Sequence, residues 1–334
     1  MENHIKNAIN DSIIQKACTL YSITFEQINY HGGFENFVYM FRKKDVDYVL
    51  RFVHSDHHTY QDVLAEIEFI DYLSKEGAAV SKVVPSVNDQ VVEKVMINDE
   101  DYFTVAVFVK GLGKPVKKEV DSPLFWSYFG EQVGTLHRLT KLFNPSHKRF
   151  VWYEDTLYNN AANYLVGEHR CVYDALLKKI DEIKAMPRHV DNYGLIHTDL
   201  HFGNMVIDEH EKLTFFDFDD SSYKPFIADI AIIIFYVFWC KDVSIEERTN
   251  RSIWMMTHFL KGYQKENTLP KKEWTYLNTF LKLREITIYA VIVAEGEGTI
   301  NSDWGKTFIS TYQQRIIEDI PFLDLNRFLD ELGV

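Results

Sequence analysis

The residues best able to do chemistry lie in one run, His197-Thr198-Asp199-Leu200-His201-Phe202-Gly203-Asn204. Thirteen residues after Asn204 comes Asp217, within Thr214-Phe215-Phe216-Asp217-Phe218-Asp219-Asp220. Phosphoryl transfer requires a carboxylate that orients and deprotonates an acceptor hydroxyl, and oxygen ligands that hold Mg²⁺ against the phosphates. Asp199 suits the first task. Asn204 and Asp217 offer the hard oxygens for the second, and a short hairpin between them would bring both beside the Asp199 loop. The three fixed positions His197, Asp199 and Asn204 alone recur by chance in on the order of one chain in fifty. An aspartate closing an apolar strand at the right distance makes coincidence much rarer.

These residues need elements to position them. Thr24 to Tyr30, Glu35 to Arg42 and Asp47 to Val53 read as three short strands, separated by turns at His31-Gly32-Gly33 and Lys43-Lys44-Asp45. A helix follows from about His58 to Lys75, with Val63, Ile67, Ile70 and Leu73 on one face. Val91 to Ile97 and Tyr102 to Val109 complete a hairpin. After Lys110-Gly111-Leu112-Gly113-Lys114-Pro115 the pattern becomes helical: Pro123 to Leu139, Leu157 to Met186, Ile227 to Cys240, Ile245 to Tyr263 and Lys272 to Val293. Brief strands interrupt it at Met205 to Asp208 and Leu213 to Phe218. The expected class is α+β, with an antiparallel-sheet lobe at residues 1–108 and a mainly helical lobe at 109–334.

In this order the motifs are similar to those of the aminoglycoside phosphotransferase and choline kinase-like family, a branch of the protein-kinase-like fold. His-x-Asp-x-x-x-x-Asn matches the kinase catalytic loop, and the strand ending Asp-Phe matches the metal-binding segment that follows it. The resemblance covers nearly the whole chain in element order, with its specific motifs between His197 and Asp229. It implies a bilobal fold and transfer of the γ-phosphate of ATP or GTP, with Mg²⁺, to a hydroxyl of a small molecule such as an aminoglycoside, choline or homoserine. The family's catalytic base falls on Asp199 and its metal ligands on Asn204 and Asp217. Asp219 stands where protein kinases have a glycine, which resembles the small-molecule branch. His197 would fix the catalytic loop, and Asp229 would anchor its backbone.

The first lobe should hold the nucleotide. Glu66 shares the apolar face of its helix and requires a partner. Arg51 is the candidate, at a strand position where the family usually has lysine; its planar fork can bridge Glu66 and a phosphate. Backbone N–H groups from Gly33 to Asn36 are candidate phosphate donors. The adenine is expected against the linker near Phe108 and Val109.

Composition narrows the partners. A net charge of -13 disfavours nucleic acid, which is bound by clustered Lys and Arg, and is compatible with a positively charged acceptor. The longest apolar run, Ile227 to Cys240, is too short to span a membrane. Cys18, Cys171 and Cys240 form no CxxC pair, and the first residues show no signal peptide, so a reducing cytoplasm is expected. For the acceptor, Ala294-Glu295-Gly296-Glu297-Gly298 with Asp303-Trp304 could receive an amine, and Trp152-Tyr153 could supply a cation-binding face. Two alternatives remain open. One is a Ser/Thr protein kinase of the same fold. The other is a metallohydrolase using the clusters His54-Ser55-Asp56-His57-His58 and His197 to His201; against it, the first cluster sits at a helix start outside the proposed cleft, and neither matches a zinc-hydrolase spacing.

Overall fold

The computed structural model describes residues 3–33, 35–239 and 241–334. Phe34 and Cys240, which belong to the glycine turn and to the expected end of the Ile227 helix, lie outside the described residues. The chain begins with helices α1 (Asn3–Ala8) and α2 (Asp11–Leu20), then strands β1 (Ile28–Gly32), β2 (Phe37–Lys43) and β3 (Val46–His54). Helix α3 (Tyr60–Lys75) and strands β4 (Val83–Val84), β5 (Glu93–Met96), β6 (Tyr102–Val109) and β7 (Lys114–Pro115) come next. Helix α4 (Pro123–Thr140), the short α5 (Thr156–Asn159) and α6 (Ala161–Tyr164), and α7 (Arg170–Lys184) lead to β8 (Tyr193–Ile196), β9 (Met205–Ile207), β10 (Leu213–Phe215) and β11 (Ser222–Pro225). The remainder is helical: α8 (Ile227–Val237), α9 (Ile245–Glu266), α10 (Lys271–Trp274), α11 (Leu277–Ala294), α12 (Glu297–Ile300), α13 (Asp303–Ile317) and α14 (Leu325–Leu332).

Contacts divide the chain into two compact units that are not contiguous in sequence. The first comprises Met1–Pro115, Phe143–Arg149 and Met205–Asp219; the second comprises Val116–Leu142, Phe150–Asn204 and Asp220–Val334. The β9–β10 hairpin, with the residues that follow it to Asp219, therefore belongs with the N-terminal unit, although Asn204 before it and Asp220 after it belong to the helical one.

In the first unit an antiparallel sheet runs β1-β2-β3-β6-β4, with β5 also on β6. Lys44 and Asp45 both have positive φ, which is the two-residue turn whose twist suits a hairpin. The inward residues Phe37, Tyr39, Leu50, Phe52, Phe103 and Val105 pack against Ile13, Ile14 and Ala17 of α2. Helix α3 starts where Thr59 and Asp62 cap each other's backbone N–H groups, and it buries Val63, Glu66, Ile67, Ile70 and Leu73. The hairpin joins this unit through β9 on β7 and through Phe215 beside Val80.

In the second unit α4 and α9 run so close that a Cβ on Gly262 would fall 1.7 Å from the Ser127 carbonyl oxygen. Helix α8 is buried along nearly its whole length, Asp229 included, and packs on α11.

Three expected elements differ. Residues 24–27 form a 3-10 turn rather than a strand start, because the Gln27 side chain accepts from the Thr24 N–H at 2.7 Å. The expected helix Leu157–Met186 is broken into short pieces, with Gly167 at a φ of 58° before α7 begins. The expected helix from Lys272 splits after Trp274, where Thr275 Oγ1 bonds the Lys272 carbonyl and competes for a helical acceptor. The helices α1, α2, α12, α13 and α14 and the strands β4, β7, β8 and β11 were not anticipated.

Candidate active site

The second unit builds the Asp199 loop. Strand β8 ends at Ile196, and Thr198 takes a φ of 62°, an unusual conformation for a β-branched residue. Such a backbone persists only when its surroundings hold it. Here the Thr198 N–H donates to Asp229 Oδ1 at 2.9 Å, and the Thr198 hydroxyl donates to the Asp220 carbonyl. Asp229 Oδ2 lies 3.2 Å from His137 Nε2; His137 Nδ1 lies 2.9 Å from the Tyr263 hydroxyl, which accepts from Asn267 Nδ2 at 2.7 Å. A buried chain of four side chains thus stands behind one strained peptide. The loop-anchoring role that the resemblance implied for Asp229 has a direct counterpart in this contact.

The Asp199 carboxylate is fully engaged. Asn204 Nδ2 donates to Oδ2 and to the Asp199 carbonyl, both at 3.0 Å. His201 Nε2 lies 3.2 Å from Oδ2; because His201 Nδ1 accepts from the Gly203 N–H at 2.8 Å, a neutral ring carries its proton on Nε2 and donates it to Asp199. Arg284 Nη2, from α11, donates to Oδ1, and it also reaches the Tyr236 hydroxyl on α8. Burial alone would raise the Asp199 pKa, but the Arg284 guanidinium and the His201 and His197 rings outweigh it and hold the carboxyl well below the usual range. The Arg284 guanidinium is likewise kept protonated, with burial opposed by Tyr236 and Asp199.

Sequence reasoning missed Arg284 and Tyr236. Neither has a local motif: each is one residue of a long helical pattern, found 85 and 37 positions after Asp199 and brought to it only by the packing of α8 on α11.

The first unit gathers the other predicted residues. Arg51 and Glu66 form the suspected pair, Nη1 to Oε1 at 2.9 Å and Nη2 to Oε2 at 2.7 Å, with side chains 7% and 0% exposed. Arg51 stays protonated against its burial because Glu66, Asp219 and Asp217 surround it. Asp219 Oδ1 lies 3.8 Å from Arg51 Nη1, near enough for attraction between charges, and makes no hydrogen bond. Its Oδ2 accepts from Asn36 Nδ2 at 3.1 Å and lies 2.8 Å from His57 Nε2. Burial would raise the Asp219 pKa; His58, His57 and Arg51 bring it well below the ordinary value. Asp217 has a φ of 64° at the end of the β10 segment. Gly33 has a φ of 138°, and a Cβ there would fall 1.8 Å from the Asn36 carbonyl oxygen, so the turn requires glycine.

Two sequence readings need correction. The His54 to His58 cluster was expected away from the site, yet His57 contacts Asp219 beside the Arg51–Glu66 pair. The chain turns there because the N–H groups of His57 and His58 both donate to the His54 carbonyl. The aromatic faces of Trp152 and Tyr153 are covered by this chain's own cations: Lys224 lies 5.3 Å from the Trp152 ring, and Lys184 lies 4.1 Å from Tyr153.

At the linker, Phe108 lies beneath the Arg51 guanidinium at 5.3 Å. The N–H groups of Val109 and Lys110 are already bonded to the carbonyls of Lys82 and Asp47.

Within the second unit a cavity of about 830 Å³ is bordered by Phe202, Tyr236, Val120, Asp121, Lys241 and Glu247, among others. It is roughly the size of a site for a drug-sized ligand. Among the described residues no helix is long and apolar enough to cross a membrane.

A profile described as the phosphotransferase enzyme family matches residues 26–254. The amicoumacin kinase of Bacillus subtilis (strain 168) is 31% identical over 285 residues, 84% of each chain. A solved structure of the amicoumacin kinase hAmiN, in complex with AMP-PNP, Ca²⁺ and Ami, superposes with a TM-score of 0.90 at 26% identity, covering 98% of this chain and 99% of that one. A microcompartment-associated aminopropanol kinase gives a TM-score of 0.71 at 20% identity over 97% and 99%, a likeness of fold.

Proposed function

The chain belongs to the phosphotransferase enzyme family, and on that footing we propose that Asp199 is its catalytic base, with Asn204 and Asp217 as magnesium ligands. The protein is a kinase of the α+β protein-kinase-like fold, transferring the γ-phosphate of ATP, with a divalent metal, to a hydroxyl of a small molecule. The observation that carries the reading is the Asp199–Asn204 arrangement. Asn204 spends its Nδ2 on Asp199, which turns its Oδ1 the other way as a hard oxygen donor.

The donor set fits magnesium. Asn204 and Asp217 both offer side-chain oxygens, the ligand type a hard dication takes. When bound, the metal neutralises charge on the phosphates. The protein's own groups do the rest. Asp199 receives the acceptor O–H and accepts its proton as the oxygen attacks phosphorus. Arg284, His201 and Asn204 hold that carboxylate ionised and in one orientation, so its contribution is chiefly positioning rather than base strength. Arg284 must yield part of its hold on Oδ1 for the hydroxyl to approach.

We assign nucleotide binding to residues 1–108 and catalysis with acceptor binding to 109–334. Arg51, oriented by Glu66, and backbone N–H groups around Gly33 and Asn36 would hold the phosphates. The adenine would lie near Phe108 and Val109, using apolar surface and carbonyls, since the N–H groups of Val109 and Lys110 are spent. The acceptor proposed is an amicoumacin-type antibiotic, supported by the named relatives and by the cavity beside Phe202 and Tyr236. A cytoplasmic setting is supported by the exposed free thiol of Cys171. The test is ATP consumption with amicoumacin beside aminopropanol, choline and spectinomycin, with the product identified by mass. Phosphorylated amicoumacin supports the assignment; turnover confined to another acceptor overturns it.

A further inference from the structure

The turn before α3 places two imidazoles where adjacent residues would normally diverge. His57 and His58 both donate their N–H to the His54 carbonyl, at 3.0 and 3.1 Å, so their rings fall on one side with centroids 4.1 Å apart. Asp219 faces them. His57 Nε2 is 2.8 Å and His58 Nε2 is 3.8 Å from Asp219 Oδ2, and Glu35 Oε2 is 3.3 Å from His57 Nε2.

We propose that His57, His58 and Asp219, with Glu35 beside His57, form a binding site for a transition-metal dication such as Zn²⁺, distinct from the magnesium ligands, and that its occupation inhibits the kinase.

Geometry supports the site first. A tetrahedral ion with bonds of about 2.0–2.1 Å spaces its ligand atoms about 3.3 Å apart. The three separations above lie within about half an ångström of that value, which small side-chain rotations absorb. One ligand atom from each of His57, His58 and Asp219 already falls within 4.8 Å of the others. Two imidazole nitrogens with a carboxylate suit zinc, whereas magnesium prefers oxygen alone.

The surroundings favour a dication too. Glu35, Glu66, Asp217 and Asp219 outnumber the guanidiniums Arg51 and Arg149. Asp219 Oδ1 is buried without a hydrogen bond, so the carboxylate can accept a further partner. Its backbone is held in place, because Arg149 Nη2 donates to the Asp219 carbonyl and Arg149 Nη1 donates to the Asp62 carbonyl.

The inhibition, unlike the binding, rests on the nucleotide reading given above. Asp219 is a counter-charge for Arg51 and the partner of Asn36. A dication on Asp219 would draw it from both residues and add positive charge beside Arg51. Residues proposed to hold the phosphates would be displaced, and the apparent KM for ATP would rise.

The experiment titrates Zn²⁺ into the metal-free full-length protein without nucleotide, by calorimetry, and repeats it with Co²⁺ to read nitrogen and oxygen ligation by absorption. One equivalent should bind to the parent. Affinity should fall on the order of tenfold or more in His57→Ala and in His58→Ala, and remain unchanged in Asp217→Asn and in His4→Ala, which belongs to the separate His4, His54 and Asp56 cluster. His57→Gln and His58→Gln serve if an alanine variant fails to fold. Zinc should raise the ATP KM of the parent and not of the double histidine variant. Absence of stoichiometric binding, binding that survives loss of both histidines, or inhibition indifferent to them overturns the proposal. A protein that binds zinc as described yet transfers no phosphate would instead refute the enzymatic roles and leave the site standing.

Discussion

Removing one member of the Arg51–Glu66 pair should be costly, and removing both should be little worse. The pair is bidentate and almost wholly buried. Two unit charges about 4 Å apart attract by about 4 kcal/mol at an effective dielectric constant of about 20. Breaking a buried pair from one side typically costs about 3–5 kcal/mol, since the remaining charge is stranded. Glu66→Gln should fall near the low end, because Asp219 at 3.8 Å still faces Arg51. Arg51→Met should fall near the high end, because it leaves a carboxylate with no exposure to water. Independent effects would add to about 8 kcal/mol. The expected double variant loses about 3–5 kcal/mol, a coupling energy of about 3 kcal/mol or more. The assay is equilibrium urea unfolding of the four proteins, beside the apparent KM for ATP, which should rise in every variant. Additive losses in stability would refute the coupling, and an unchanged KM would refute the placement of the pair at the nucleotide.

Other substitutions test the proposed transfer chemistry and the packing of the second unit. Asp199→Asn should reduce transfer by about 10²–10⁴-fold with Mg-ATP affinity nearly kept, whereas Asp217→Asn should raise the magnesium requirement; single-turnover transfer and nucleotide titration separate them. Arg284→Met should lower kcat more than the ATP KM, because it releases Asp199 from one orientation, and Arg284→Lys should recover part of the loss. Asp229→Ala leaves the Thr198 N–H and His137 Nε2 without their partner in a buried setting, so urea unfolding should report a loss of about 2–4 kcal/mol. Lys224 gives a pH test. Burial lowers its pKa to about 8. Below that both folded and unfolded chains carry the proton, and the folded one bears the desolvation cost. Between about 8 and the ordinary lysine value of about 10.4, only the unfolded chain keeps it, so this residue's contribution to stability should rise with pH by up to about 3 kcal/mol. Lys224→Met should remove that rise, as read by unfolding at a series of pH values.

The legible parts of the fold were those set by local spacing. Strands β2, β3 and β6 and helices α3, α4 and α9 follow from alternation and apolar stripes, with boundaries close to those expected. Glu66 announced its partner because a carboxylate on an apolar face has few tolerable neighbours. The failures had non-local causes or rested on side-chain capping. Thr24 and Gln27 close a turn through side chains that a β-propensity reading treats as strand. Asp199, Asn204 and Asp217 were visible as a spaced motif, but the groups restraining Asp199 were not, because Arg284 and Tyr236 reach it through helix packing. His57 and Asp219 are 162 positions apart in the chain and meet only because the β9–β10 hairpin packs into the N-terminal unit.

The most direct test of the central claim is single-turnover transfer from γ-labelled ATP to amicoumacin by the parent and by Asp199→Asn, each with nucleotide already bound. The account predicts rapid labelling of the antibiotic by the parent and a loss of about 10²–10⁴-fold in the variant at nearly equal nucleotide occupancy. Equal rates in the two proteins would contradict it.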